Sequence, residues 1–199
     1  TAYPVTIDPS FEILPEENNI MDISVRANGI VYNDSVNNGV GHHNVLLEDM
    51  RTFIKFPGLL DDPAFENFAP PGYGYSDFRE IQSIKLQMYS RGSSFVDTQV
   101  RVYSYNTSSS LNWTYNTTNF TSTQFNALGS LQSSTVVPYG FAQWVEFDIT
   151  TASIYNGENG IVLVNQYEGS GNDPVYQSFA STKDANYKPR IVVTWTGDD

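Results

Sequence analysis

Cysteine is absent from the 199-residue chain, which excludes thiol nucleophiles, cysteine-ligated metals and a disulfide framework. Basic residues are scarce. Ten Lys and Arg stand against 22 Asp and Glu, a net charge of −12, so nucleic-acid phosphates and anionic lipid surfaces are repelled and neither partner is expected. Histidine occurs only at His42 and His43, in GVGHHNV. Adjacent side chains in a strand point to opposite faces, so one site can use at most one of them; a turn-flanking pair entering a strand is the simpler reading. Long apolar runs are also missing: nothing reaches the roughly 18 residues of a membrane-spanning helix. The first residues lack the basic and apolar regions of a signal peptide. A start at Thr1 without Met is what a processed mature chain would show.

Recognisable catalytic signatures are missing too. The chain contains no HExxH, GxSxG, phosphate-binding loop or dinucleotide-type glycine pattern in strand and helix context, and the Gly-Tyr-Gly at 72–74 reads as a loop. The neighbouring acids Glu16–Glu17, Glu48–Asp49 and Asp61–Asp62 read more simply as solvated charge than as a glycosidase pair. A non-enzyme is therefore expected, with no catalytic residue assigned.

What the chain does have is β chemistry. Charged residues make up 16%, while Ser, Thr, Asn, Gly and Tyr are abundant, the composition of an extracellular β protein. Short β-branched and aromatic runs recur between Gly, Pro, Asn and Asp clusters: MDISVRA (21–27), HNVLLED (43–49), TFIKFP (52–57), SIKLQMYS (83–90), TQVRVYSY (98–105), WVEFDI (144–149), GIVLVNQY (160–167), VYQSFAS (175–181) and PRIVVTW (189–195). That spacing predicts an all-β, jelly-roll-like antiparallel β-sandwich. Phe53, Ile84, Leu86, Val100, Val102, Phe147, Ile161, Leu163 and Val192 are expected inside. One short helix is expected over 150–155, capped by Thr150 or Thr151, and the longest irregular stretch, Asp61 to Gly74 with PAFENFAPPGYGYSD around it, reads as a surface loop.

The order of these pieces carries a resemblance. MDISVRANG, NNGVGHHNVLLEDMRTFIKFPGL, REIQSIKLQMYS, TQVRVYSY, LNWTYNTT, WVEFDIT, NGIVLVNQ and SFASTKDANYKPRIVVTW follow one another from Met21 to Trp195. Taken in that order they resemble the DNRLRE domain family and the disaggregatase-related repeats of archaeal surface proteins. LNWTYN carries an extra residue between Trp113 and Asn116 relative to that family's Thr-Trp-Asn-Asn-like element. The resemblance implies a β-sandwich of secreted or cell-surface proteins, not catalytic as a class, some members of which bind polysaccharide. It implies one domain over 21–199, leaving 1–20 as an N-terminal arm.

Three further expectations attach to named residues. Five Asn-x-Ser/Thr triplets, at Asn33, Asn106, Asn112, Asn116 and Asn119, are candidate glycan acceptors; three cluster around Trp113, Tyr115 and Phe120, and Trp113 is expected to pack rather than to form a sugar platform. Tyr73, Tyr75 and Tyr115 are candidate stacking faces for a bound polysaccharide. No cofactor is expected apart from Ca²⁺, for which Asp61, Asp62 and Asp77 are candidate ligands without EF-hand spacing.

The arm gives the sharpest expectation. In TAYPVTIDPSFEILPEEN, Tyr3, Val5 and Ile7 alternate with Ala2, Pro4 and Thr6, the period of a strand with one apolar face. Phe11 and Ile13 follow the Asp8–Pro9 turn signal. Such an arm must lie on its own sandwich or on a neighbouring copy, and an arm ahead of a domain is what head-to-tail joining needs. The expected function is an extracellular structural subunit whose partners are copies of itself, joined by donated N-terminal strands into a filament or lattice. A polysaccharide-binding module is the alternative.

Overall fold

In RTFIKF (51–56), Arg51, Phe53 and Lys55 alternate with Thr52, Ile54 and Phe56, yet all six are buried. A strand buried on both faces needs a layer on each side, and that requirement organises the chain. The computed structural model describes residues 10–13, 20–33, 35–43, 48–57, 80–93, 96–105, 113, 114, 116–150, 160–168 and 175–196.

Twelve strands appear among the described residues: β1 (Ser10–Ile13), β2 (Met21–Arg26), β3 (Val31–Tyr32), β4 (Asn37–His43), β5 (Glu48–Lys55), β6 (Glu80–Ser93), β7 (Thr98–Tyr105), β8 (Leu128–Val137), β9 (Gln143–Ile149), β10 (Gly160–Asn165), β11 (Tyr176–Ala180) and β12 (Arg190–Thr196). All the ladders are antiparallel. One layer runs β8-β7-β10-β5-β2-β3. The other centres on the long β6, with β9 along one edge and β12 and β11 in succession along the other; β1 flanks β12 and β4 flanks β11. The layers join twice. β4 leaves β11 and pairs with the start of β5 through Gly41↔Met50, His42↔Asp49 and His43↔Glu48. At the other side β8 lies along β9, where Ser133 and Thr135 hydroxyls donate to the carbonyls of Asp148 and Glu146. The sheet thus wraps nearly into a barrel, an all-β sandwich-like fold as the strand spacing predicts.

Between the layers, Ile54, Val100, Val102, Ile161 and Leu163 from one side meet Ile84, Leu86, Met88, Phe147, Phe179, Ile191 and Val193 from the other. Eight of the nine expected core residues are buried, and Val192 is not. In the β12–β6 register Ile191 faces Leu86 and Val193 faces Ile84, whereas Val192 sits opposite Lys85. Period-two alternation therefore sends Val192 outward with that lysine. Phe53 is buried, but in a second core on the outer face of the first layer, with Ile23, Val25, Tyr105 and Val162.

Two element boundaries differ from the sequence expectation. The apolar run HNVLLED is split: His43 ends β4, Glu48 begins β5, and 44–47 lie outside the described residues. The helix expected at 150–155 falls on residues of which only Thr150 is described, and Thr150 is not helical. A short helix α1 (Ser122–Phe125) occurs instead, held by a capping box in which the Thr121 hydroxyl accepts from the Gln124 amide and Gln124 Oε1 accepts from the Thr121 amide. No helix among the described residues is long and apolar enough to cross a membrane.

Candidate functional site

The sequon-rich stretch is a lid on the second core. Trp113, Phe120 and Phe125 are buried there, and Phe53 meets Phe120 at 5.0 Å and Tyr105 edge-on at 5.4 Å between ring centroids. The outward residues of β5 hold the lid in place. Lys55 Nζ donates to the Trp113 carbonyl at 3.0 Å and lies 4.9 Å from that ring's centre. Arg51 Nη1 donates to the Phe125 carbonyl at 2.6 Å, and Arg51 Nε and Nη2 form a bidentate pair with Glu168. Burial pushes the Glu168 carboxyl up while the Arg51 contacts pull it down, and burial prevails. Trp113 is thus packing, as expected. Gly29, at φ +91°, lets the Asn28–Gly29 turn approach the lid so closely that a Cβ would lie 2.1 Å from the Phe120 carbonyl oxygen.

Of the candidate acceptors, Asn116 and Asn119 are exposed on this lid and Asn33 is half-buried beside β3. Asn106 and Asn112 lie outside the described residues, as do Tyr73, Tyr75 and Tyr115 and the three Ca²⁺ candidates Asp61, Asp62 and Asp77. Tyr3, Val5 and Ile7 of the arm also lie outside them. Phe11 and Ile13 belong to β1, which pairs with β12 of the same chain through Ser10↔Thr194, Phe11↔Val193, Glu12↔Val192 and Ile13↔Ile191.

The two histidines stand at the β4 corner and diverge, as strand geometry requires. His42 Nδ1 lies 3.0 Å from Asp49 Oδ1, its cross-strand neighbour. His43 meets the Tyr176 ring edge-on at 4.7 Å. The corner is made by Gly41, at φ +109°, where a Cβ would fall 2.3 Å from the Val175 carbonyl oxygen. Just inside it, the layers are joined by a buried polar network that sequence periodicity did not reveal. Asp22 accepts from Asn38 Nδ2 at 2.7 Å and from the Thr182 amide and hydroxyl at 2.9 and 2.7 Å. The Ser24 hydroxyl donates to Asn38 Oδ1 and accepts from the Gly39 amide, and Thr52 donates to the Gly39 carbonyl. Burial raises the Asp22 pKa despite these donors.

Beyond Ser24 on the same face, an open cleft of about 350 Å³ lies between the β2–β3 hairpin and the β4–β11 ladder. Arg26, Tyr32, Asn37, His43, Tyr176 and Ser178 line it. The Arg26 guanidinium lies over the Tyr32 ring, 4.8 Å from its centre. Its Nε is buried without a hydrogen-bond partner among the described residues, and so is Asn37 Oδ1. Burial first, then the charges of Arg26 and His42, hold the His43 pKa below its ordinary value. The sequence signal for this cleft is faint: MDISVR places Arg26 in step with Asp22 and Ser24, a polar face on an otherwise apolar strand, and nothing local says what it faces. Among the described residues no group of three His, Asp or Glu side chains is placed to hold a metal ion. Neither a family model nor a curated protein sequence matches the chain.

Proposed function

We propose that the protein is a non-catalytic, extracellular structural subunit in which the N-terminal strand of one copy completes the sheet of the next. The observation that carries this reading is the seat of β1. Among the described residues it is the terminal strand of its layer, attached through a single ladder to β12. An edge strand held by one ladder can leave its own sheet and enter that of an identical neighbour with every hydrogen bond kept, because donor and acceptor sequences are the same. Exchange then costs association entropy but no ladder energy. Residues 1–9 precede β1 with the Tyr3-Val5-Ile7 alternation, so a donated strand can run on beyond the four paired residues. The histidines fit a structural role, His42 paired with Asp49 and His43 packed on Tyr176.

Deletion of residues 1–14 tests this. The full chain is expected to form higher assemblies on concentration, visible by light scattering and electron microscopy, whereas the truncated chain stays a folded monomer. Assembly of the truncated chain at the same concentration would refute strand exchange.

A further inference from the structure

We propose that the turn between β8 and β9 docks the protein on a bilayer of zwitterionic lipid, with Tyr139 and Phe141 seated among the headgroups. This inference does not depend on strand exchange. Ser10, the first residue of β1, lies opposite Thr194, toward the end of the sheet where Thr196 meets Glu80 and β6 starts; the β8–β9 turn lies at the other end, where Ser90 meets Gln143.

The first observation is a cluster of exposed apolar side chains on a turn that is held in place. Phe141 is 70% exposed, Val136 58%, Tyr139 50% and Val96 40%. These are four of the eight exposed large apolar side chains among the described residues, so the exposure is concentrated at one end of the molecule. The turn stands clear of the body: residues 138–142 are all exposed, and a Cβ added to Gly140, at φ +78°, would meet nothing within 4 Å. It is also fixed. The Tyr139 amide donates to Asp97 Oδ1 at 2.7 Å, and the flanking ladders set Val137 opposite Thr98 and Gln143 opposite Ser90. A rigid tip that keeps aromatic groups in water gains free energy from whatever removes them from it.

The second observation is where charge is missing. From Val102 to Val145 the sequence holds no Asp, Glu, Lys, Arg or His, in a chain of net charge −12. The turn and the whole of β8 fall within this neutral run. Arg101 stands just behind it. It lies opposite Ser134 and on the same side of the β7–β8 ladder as Val136, two residues or about 7 Å farther from the turn, and it forms no ion pair among the described residues. Apolar groups at the tip with a cation one rung behind match the layering of a lipid interface. Aromatic rings sit at headgroup level, an apolar face enters by about 5–10 Å, and a lipid phosphate then accepts from the guanidinium.

Area favours lipid over a protein partner. A stable protein interface needs about 800 Å² and 20–30 residues on each side, more than four side chains around a projecting turn supply, whereas a fluid bilayer conforms to the tip without a matching shape. The headgroups must carry no net charge, because the acidic body is repelled by an anionic surface.

The test is sedimentation of the full chain with phosphatidylcholine vesicles, compared with vesicles of phosphatidylcholine mixed with phosphatidylserine and with no vesicles. Saturable binding to phosphatidylcholine is expected, weaker when phosphatidylserine is present. Phe141→Trp should show a blue shift of its added emission on vesicles. Phe141→Asp should weaken binding on the order of ten- to a hundredfold, the loss of one buried aromatic side chain. Leu131→Asp makes the same change of charge at an exposed apolar residue farther along β8 and should bind as wild type. Both aspartate variants alter exposed side chains, so their thermal melts should stay cooperative. The proposal is overturned if phosphatidylcholine vesicles do not bind the wild-type chain, if phosphatidylserine strengthens binding, if the Phe141→Trp emission does not shift, or if Leu131→Asp costs as much as Phe141→Asp. It is overturned equally if Phe141→Asp abolishes self-association in the absence of vesicles, which would make the tip a contact between copies.

Discussion

Tyr105 shows how a single group can be left unsatisfied in a well-packed core. Its ring completes the outer core against Phe53, but its hydroxyl is buried without a partner among the described residues, and burial raises its pKa. Removing the oxygen removes a desolvation cost and little packing, so Tyr105→Phe is expected to stabilise the fold by about 1 kcal/mol, seen as a higher urea midpoint at unchanged slope. Asp184 is the opposite case. Burial opposes its ionisation, but the amides of Asn186 and Tyr187 and the Arg91 guanidinium outweigh that and hold the carboxyl below its ordinary pKa of 3.8. A depressed folded pKa means stability that is present above 3.8 and is lost as pH falls through the folded value. Asp184→Asn should therefore melt lower than wild type at neutral pH, and the gap should close in strong acid. A gap that persists there would mean that the carboxylate's charge is not what matters.

At the scale of elements, β5 controls the lid through alternation. Its inward residues Thr52 and Ile54 face the second layer, while its outward residues Arg51, Phe53 and Lys55 meet the segment from Trp113 to Phe125. Arg51→Met would leave the Glu168 carboxylate buried without its cation and the Phe125 carbonyl without its donor. The expected cost is about 3–5 kcal/mol. Replacing both partners, as Arg51→Met with Glu168→Leu, should recover most of that loss, because neither charge is then buried alone. Chemical denaturation of the two variants separates this from simple loss of side-chain packing, which the double variant would not repair. The same cap explains why Asn116 and Asn119 remain exposed while Trp113, Phe120 and Phe125 on either side of them are inside: a glycan on either asparagine would project from the lid's outer side without disturbing the core.

Across the whole molecule, two layers share one continuous sheet that switches layer at β4 and approaches closure where β8 meets β9. Near-closure leaves few free edges, and free edges are where β proteins pair with other chains. The β1–β12 edge is one of them. This is why the deletion of residues 1–14 bears on assembly and stability together: the truncated monomer loses one ladder and exposes the backbone of β12. Its melting temperature should fall modestly, while the core between β6, β9 and β10 persists. The cleft lined by Arg26 and Tyr176 lies instead at the β4 corner, away from β12.

Local chemistry by itself determined the strands and most of the core. β-Branched runs such as SIKLQMYS and GIVLVNQY can bury their apolar side chains only as strands, and period-two alternation placed eight of nine expected residues inside. That Trp113 packs came from the resemblance carried by LNWTYN, not from alternation. The helix at Ser122–Phe125 was legible too, in the Thr121–Gln124 capping box, but the expectation fell on another threonine pair. What alternation cannot supply is parity against a partner: Val192 looks as apolar as its neighbours, and only its position opposite Lys85 turns it outward. Nor can it show which strands have both faces covered, since that depends on a lid more than fifty residues from β5 in the chain. The cleft belongs to this second class. Arg26 and Asn37 are ordinary surface residues in sequence, and they come to line one cleft only because Gly41 lets β4 cross between the layers and brings the two strands' polar faces together.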